Sequence, residues 1–146
     1  MRIPLLPGGS RARFKLWNKD MDTFELAQKY FADHNYRIIE IDTANQVITL
    51  RFQMNTIHFW CSPNDSHFFC LALPNFTDVN EYNIEQVKEK CHKVNRDAKQ
   101  VKLYVLDEVI IASVEVYYLA EEDFKFQMNN ALKQLIAAKT MYKKLD

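Results

Sequence analysis

After Gly9 the chain contains no glycine, so every turn in residues 10–146 must be made by a residue that carries a side chain. Glycine is what lets a backbone close on a phosphate or take positive φ without steric cost. Its absence therefore constrains the chemistry as well as the fold. The phosphate-cradling loop and the dinucleotide fingerprint both need it, and so does the nucleophile elbow of α/β hydrolases. Those enzyme classes are excluded as recognisable motifs, no cofactor is expected, and the chain is read as a non-enzyme. Turns must instead come from Asn, Asp, Ser and Pro, which bend the backbone through side-chain hydrogen bonds or a fixed φ.

Between those turns the hydrophobic period changes several times. Asp22 and Glu25 have the spacing of a capping box, and Phe24, Ala27, Tyr30 and Phe31 follow at helical intervals, which predicts a helix from about residue 22 to 34. From Tyr36 the period becomes two: Ile39 and Ile41 alternate before a turn at residues 43–45, and Ile48, Leu50, Phe52 and Met54 alternate after it. Strands at 57–62 and 67–73 complete an antiparallel meander. Whether Asn55 marks a true turn or a bulge in one long strand leaves the count at three or four.

Helical spacing returns at Ile84, Val87, Cys91 and Val94, predicting a helix over about 80–95. A hairpin follows, with strands at 102–105 and 109–118. A last helix opens on Glu121, Glu122 and Asp123, where the macrodipole favours negative charge. Its apolar stripe runs Phe124, Met128, Ala131, Leu135, Ala138 and Tyr142, widened by Leu132 and Ile136. Short connections force antiparallel neighbours. The expected fold is α+β, an antiparallel sheet in the order helix, three or four strands, helix, two strands, helix.

With 146 residues and 48% hydrophobic content, residues 20–146 are long enough to form one core. Residues 1–19 differ: they hold both glycines, two of the four prolines, five basic side chains and no acid. That composition reads as a poorly ordered basic arm. Over the whole chain 19 basic and 19 acidic residues cancel, leaving no general field toward nucleic acid or membrane. No signal segment or membrane span is legible, and a cytoplasmic protein is expected. Cys61, Cys70 and Cys91 are odd in number and lie in apolar segments, so they are read as reduced core residues.

Two clusters invite a chemical reading. His58, Cys61, His67 and Cys70 spell H-x-x-C twice, residue types that zinc accepts. Residues three apart on a strand point to opposite faces, however, so these are read as strand residues, with metal binding the alternative. Lys88, Lys90, Lys93, Arg96, Lys99 and Lys102 outnumber the nearby acids, and Arg11, Arg13, Lys15 and Lys19 add to them. A nucleic-acid accessory role through the arm and this patch is a second alternative, set against a solvated helix face. Asp107 with Glu108 reads as a turn, and the acids at 121–123 as a helix start, so neither pair suggests catalysis.

One strand pattern points to a binding surface. If Ile110, Ala112, Val114 and Val116 face the helices, Val109, Ile111 and Tyr117 face away, and Trp60 joins them opposite Ile57, Phe59 and Cys61. An antiparallel sheet needs only one buried face. A second apolar face calls for a cover: the middle helix, a second subunit or a partner segment. Trp60, Ile111 and Tyr117 are the candidate partner-binding residues, for a protein partner or a homodimer.

The C-terminal half, with Asn95 after the second helix, strands at 102–105 and 109–118 and a closing helix through Leu135 to Leu145, resembles the bacterial YbjN-like family. The first helix and the meander agree in order and length, so the resemblance covers residues 20–146. It implies the fold of type III secretion chaperones, an antiparallel sheet in α-β-β-β-α-β-β-α order, and a chaperone-like or regulatory binding role, with no catalytic residues to carry over. Secretion chaperones proper are typically acidic dimers. This chain departs from them in being neutral, and its basic arm lies outside the matched region.

Overall fold

The computed structural model describes residues 21–145, so the basic arm expected at 1–19 lies outside the described residues. Helix α1 spans Thr23–Asp33, and the Asp22 carboxylate accepts from the Glu25 N–H at 2.8 Å, meeting one of the orphan donors of the first turn. Four strands follow: β1 Arg37–Asp42, β2 Val47–Phe52, β3 Asn55–Trp60 and β4 Phe68–Pro74. The chain then forms α2 Ile84–Asp97, β5 Val101–Leu106, β6 Val109–Tyr117 and α3 Glu121–Lys143.

Asn55 thus follows a true turn, and four strands precede α2. Gln53 and Met54 form the turn with φ of 49° and 66°. Met54 was expected to continue the apolar alternation of β2, but at the turn it is 88% exposed. Among the described residues nine take positive φ and none is glycine, as the composition requires. A left-handed conformation costs an L-residue about 1–2 kcal/mol. Asn35, His67, Asn75 and Asp107 are types that tolerate it; Met54 and Glu108 are not.

The middle helix starts later than its pattern suggests. The Asn80 side-chain oxygen accepts from the N–H groups of Tyr82 and Asn83, and the Asn83 side chain reaches the Asp78 carbonyl. These bonds hold residues 80–83 as a turn and delay the helix to Ile84.

The six strands form one sheet in the order β1-β2-β3-β4-β6-β5, and every neighbouring pair is antiparallel. In β1 a bulge between Ile38 and Glu40 changes the phase. Ile38 packs against the core and Ile39, expected to alternate inward with Ile41, is exposed. Ile48, Leu50, Ile57, Phe59, Phe69, Leu71, Leu103, Ile110 and Ala112 point to one face and are buried. The same core takes in Phe31 of α1, Val87, Cys91 and Val94 of α2, and Phe124, Met128, Leu132 and Leu135 of α3. The middle helix therefore shares the first face with the other two helices and cannot cover the second.

The outer strand β5 is closed off by a side chain. Asn95, near the end of α2, accepts from the Leu103 N–H at 2.6 Å and donates to the Leu103 carbonyl at 2.8 Å. Its amide thus occupies the paired backbone groups that a further strand would use, which blunts that edge against association.

Candidate functional site

None of the three described helices covers the second sheet face. The registers place its side chains in rows. One row runs Asp42, Val47, Trp60, Cys70 and Glu115, and beside it Phe68 lies opposite Tyr117. The next runs Glu40, Thr49, His58, Ala72, Ser113 and Lys102, and beyond it come Arg51, Thr56, Ile111 and Tyr104, then Leu106 with Val109.

Its two ends differ in chemistry. At one end Phe68 stacks edge-on against Trp60 at 6.3 Å and tilts against Tyr117 at 4.9 Å, forming an aromatic strip. These contacts bury Phe68 and hold the flanking rings in place with outer surface free: Trp60 is 44% and Tyr117 66% exposed. At the other end Ile111 is half-buried beside exposed Tyr104 and Leu106. Polar side chains between the ends pair among themselves: Thr49 Oγ1 lies 3.0 Å from His58 Nδ1, and Arg51 donates to Thr56 at 2.9 Å.

Charge is segregated along the same axis. The aromatic end carries Asp42, Glu115 and Asp65, whose carboxylate accepts from the Tyr117 hydroxyl at 3.3 Å. Asp65 and then burial raise the Tyr117 pKa above the usual phenolic value. The Asp42 carboxylate accepts from the side chain and backbone of Asn45, which lowers its pKa and keeps it ionised. The basic residues of this face, Arg37, Arg51 and Lys102, lie toward the other end, with Glu40 in the row of Lys102.

Sequence reasoning named Trp60, Ile111 and Tyr117, and all three lie on this face, though Ile111 is separated from the aromatic strip. It missed Phe68, Tyr104 and Leu106. The signal was present as the alternation of Lys102, Tyr104 and Leu106 against Val101, Leu103 and Val105.

The strand ends beside the aromatic strip border a cleft of about 380 Å³, lined by Met21, Asp22, Gln46, Cys61, His67 and Tyr118 among others. Within it the hydroxyls of Thr23 and Tyr118 lie 2.7 Å apart, and the Cys61 thiol donates to the Gln46 side-chain oxygen at 3.4 Å. Burial, with Asp22 second, pushes the Cys61 thiol up to about 12. Burial, with Glu115 second, pushes Cys70 up to about 11. Both are protonated at neutral pH and poorly suited to nucleophilic attack.

The zinc-like quartet is divided. Cys61 and His67 line the cleft, whereas His58 and Cys70 sit on the open face. Among the described residues no group of three or more His, Cys, Asp or Glu is arranged to hold a metal. Cys61 and Cys91 are free and buried as expected; Cys70 is also free, but faces away from the core.

The basic patch is largely engaged. Lys88 lies 3.7 Å from Glu85, Lys93 3.6 Å from Glu89 and Arg96 3.3 Å from Asp97, while Lys90 sits 4.4 Å above the Tyr142 ring. Lys102 is on the open sheet face, away from α2. No described helix is long and apolar enough to cross a membrane.

No family model matches the chain, and comparison with curated proteins finds no match. The fold is similar to that of YbjN from E. coli, provisionally assigned as a transcription regulator, at a TM-score of 0.60 and 10% identity, covering 82% of this chain and 88% of that one. It is also similar to an uncharacterised protein from Methanothermobacter thermautotrophicus, at a TM-score of 0.55 and 11% identity, covering 82% of this chain and 96% of that one. These likenesses establish the α+β fold and its similarity to YbjN; at such identities they extend no further. Neither protein is described as an enzyme.

Proposed function

We propose, from a fold similar to that of YbjN and the open face of its sheet, that this is a non-enzymatic binding domain with a regulatory or chaperone-like role. Its working surface is the face around Trp60, Ile111 and Tyr117, and its partner is a protein segment or a second copy of the chain. The observation that carries this reading is the set of Trp60, Tyr117, Tyr104 and Leu106, all exposed on one face of a six-stranded sheet that no described helix covers. Single exposed apolar residues are ordinary, but several aligned on one rigid face favour protein docking. Aromatic anchors with a polar surround suit such an interface.

The nucleic-acid alternative draws on Lys88, Lys93 and Arg96, each beside an acid, and on an arm outside the described residues, and the divided quartet gives the metal alternative no support.

The test is the elution mass of the chain in extract from its source cells, detected by antibody. Wild type should elute above the 17.3 kDa of one chain. Trp60→Glu with Ile111→Asp should elute as a monomer with unchanged circular dichroism. Equal masses for the two, or a monomeric wild type, would refute the reading.

A further inference from the structure

The chain enters the described fold at the rim cleft, at Met21 and Asp22. Four other lining residues each adjoin an open-face residue: Gln46 precedes Val47, Cys61 follows Trp60, His67 precedes Phe68 and Tyr118 follows Tyr117. The backbone before Met21 therefore starts beside the aromatic strip. Residues 1–20 reach about 66 Å when extended, whereas the outermost strands of a six-stranded sheet lie only about 24 Å apart. Leu16 lies five residue steps before Met21, about 17 Å when extended, and β3 lies two strand spacings, about 10 Å, from β6.

The chemistry of segment and surface is complementary. Arg2, Arg11, Arg13, Lys15 and Lys19 meet no acid before Asp20. Asp42, Asp65 and Glu115 surround the aromatic strip, and the rows of Trp60 and Phe68 contain no basic residue. Ala12, Phe14 and Leu16 alternate with Arg11, Arg13 and Lys15. In an extended segment that alternation gives one apolar and one basic side.

We propose that residues 11–17 of the chain's own N-terminal segment dock on the aromatic end of the open face, Phe14 and Leu16 against Trp60 and Tyr117, the bases beside Asp42, Asp65 and Glu115. The proposal rests on the reading of that face as a binding surface and names its first occupant, which an external partner must displace.

Trp17 and Trp60 are the only tryptophans, so Trp17→Phe in the full chain leaves Trp60 as the sole indole reporter. With the segment docked, Trp60 passes from 44% exposed to buried, and acrylamide quenching should be roughly fourfold weaker than in Trp17→Phe with Phe14→Asp and Leu16→Asp. Replacing Arg11, Arg13 and Lys15 together by Glu should restore quenching equally. These substitutions lie outside residues 21–145, and an unchanged far-ultraviolet circular dichroism spectrum shows that the fold is retained. Equal quenching in all the variants would overturn the proposal. Shielding that fades on dilution, with a dimer by light scattering, would also overturn it by making a second copy the occupant. If the wild type elutes as a monomer from extract yet Trp60 is shielded by its own segment, the function reading fails and this one stands. A wild-type complex with equally quenched variants gives the reverse.

Discussion

Removing the Asn95 side chain should be among the more costly single changes outside the apolar core. Asn95 makes two hydrogen bonds to one residue of an outer strand, at 2.6 and 2.8 Å. A net contribution of about 1 kcal/mol per bond gives about 2 kcal/mol for Asn95→Ala, rising toward roughly 3 if the Leu103 backbone stays shielded from water. For a chain of 146 residues the unfolding entropy is about 0.3 kcal/mol per kelvin, so melting should fall by roughly 7 °C. Chemical denaturation monitored by circular dichroism measures the loss directly. Asn95→Asp separates the two bonds. An ionised carboxylate still accepts from the Leu103 N–H but faces the Leu103 carbonyl, so at pH 7 it should be no better than Ala. Once protonated, it can donate to that carbonyl and should recover stability relative to Asn95→Ala as pH falls. The freed edge should also raise turbidity during thermal unfolding. A loss below about 0.5 kcal/mol, within the range of ordinary surface substitutions, would refute the reasoning.

Replacing Asp107 and Glu108, at φ of 50° and 61°, by Asn-Gly should stabilise the β5–β6 hairpin by about 1 kcal/mol, read as a higher urea midpoint; a lower one would contradict the account of glycine-free turns. Cys70 titrates near 11 in the folded chain against an ordinary 9.0. The folded state therefore holds more protons than the unfolded state between those values, and stability should fall as pH rises through that window. Cys70→Ala should lessen the fall, and an unchanged slope would contradict the burial of that thiol. Lys88→Ala with Lys93→Ala should change stability by less than about 0.5 kcal/mol in thermal melts, because both ion pairs are solvent-exposed; a larger loss would mean that the α2 face is structural.

The helices and strands were legible because their apolar periods are clean. The stripe from Phe124 to Tyr142 and the alternation of β6 each specify one buried face, and those faces are buried. What escaped depends on local chemistry that period does not encode. The bulge at Ile39 shifts phase without any glycine or proline to mark it. Asn80 and Asn83 delay α2 through side-chain bonds that compete with the helix. The open face was partly legible from Trp60, Ile111 and Tyr117. Phe68 was masked by a strand apolar on both sides, and Tyr104 and Leu106 by the lysine beside them. Which side α2 would cover depended on strand order, because β6 joins β4 and leaves β5 outermost beneath that helix.

The claim that the open face is a working surface is tested most directly by a photo-reactive amino acid placed at position 117 in living source cells, with position 82 as the control. Tyr82 is 90% exposed and lies off the sheet, just ahead of α2. The account predicts a discrete adduct with another polypeptide from position 117, lost when Ile111→Asp is added, and none from position 82. The same adducts from both positions, or none from position 117, would contradict it.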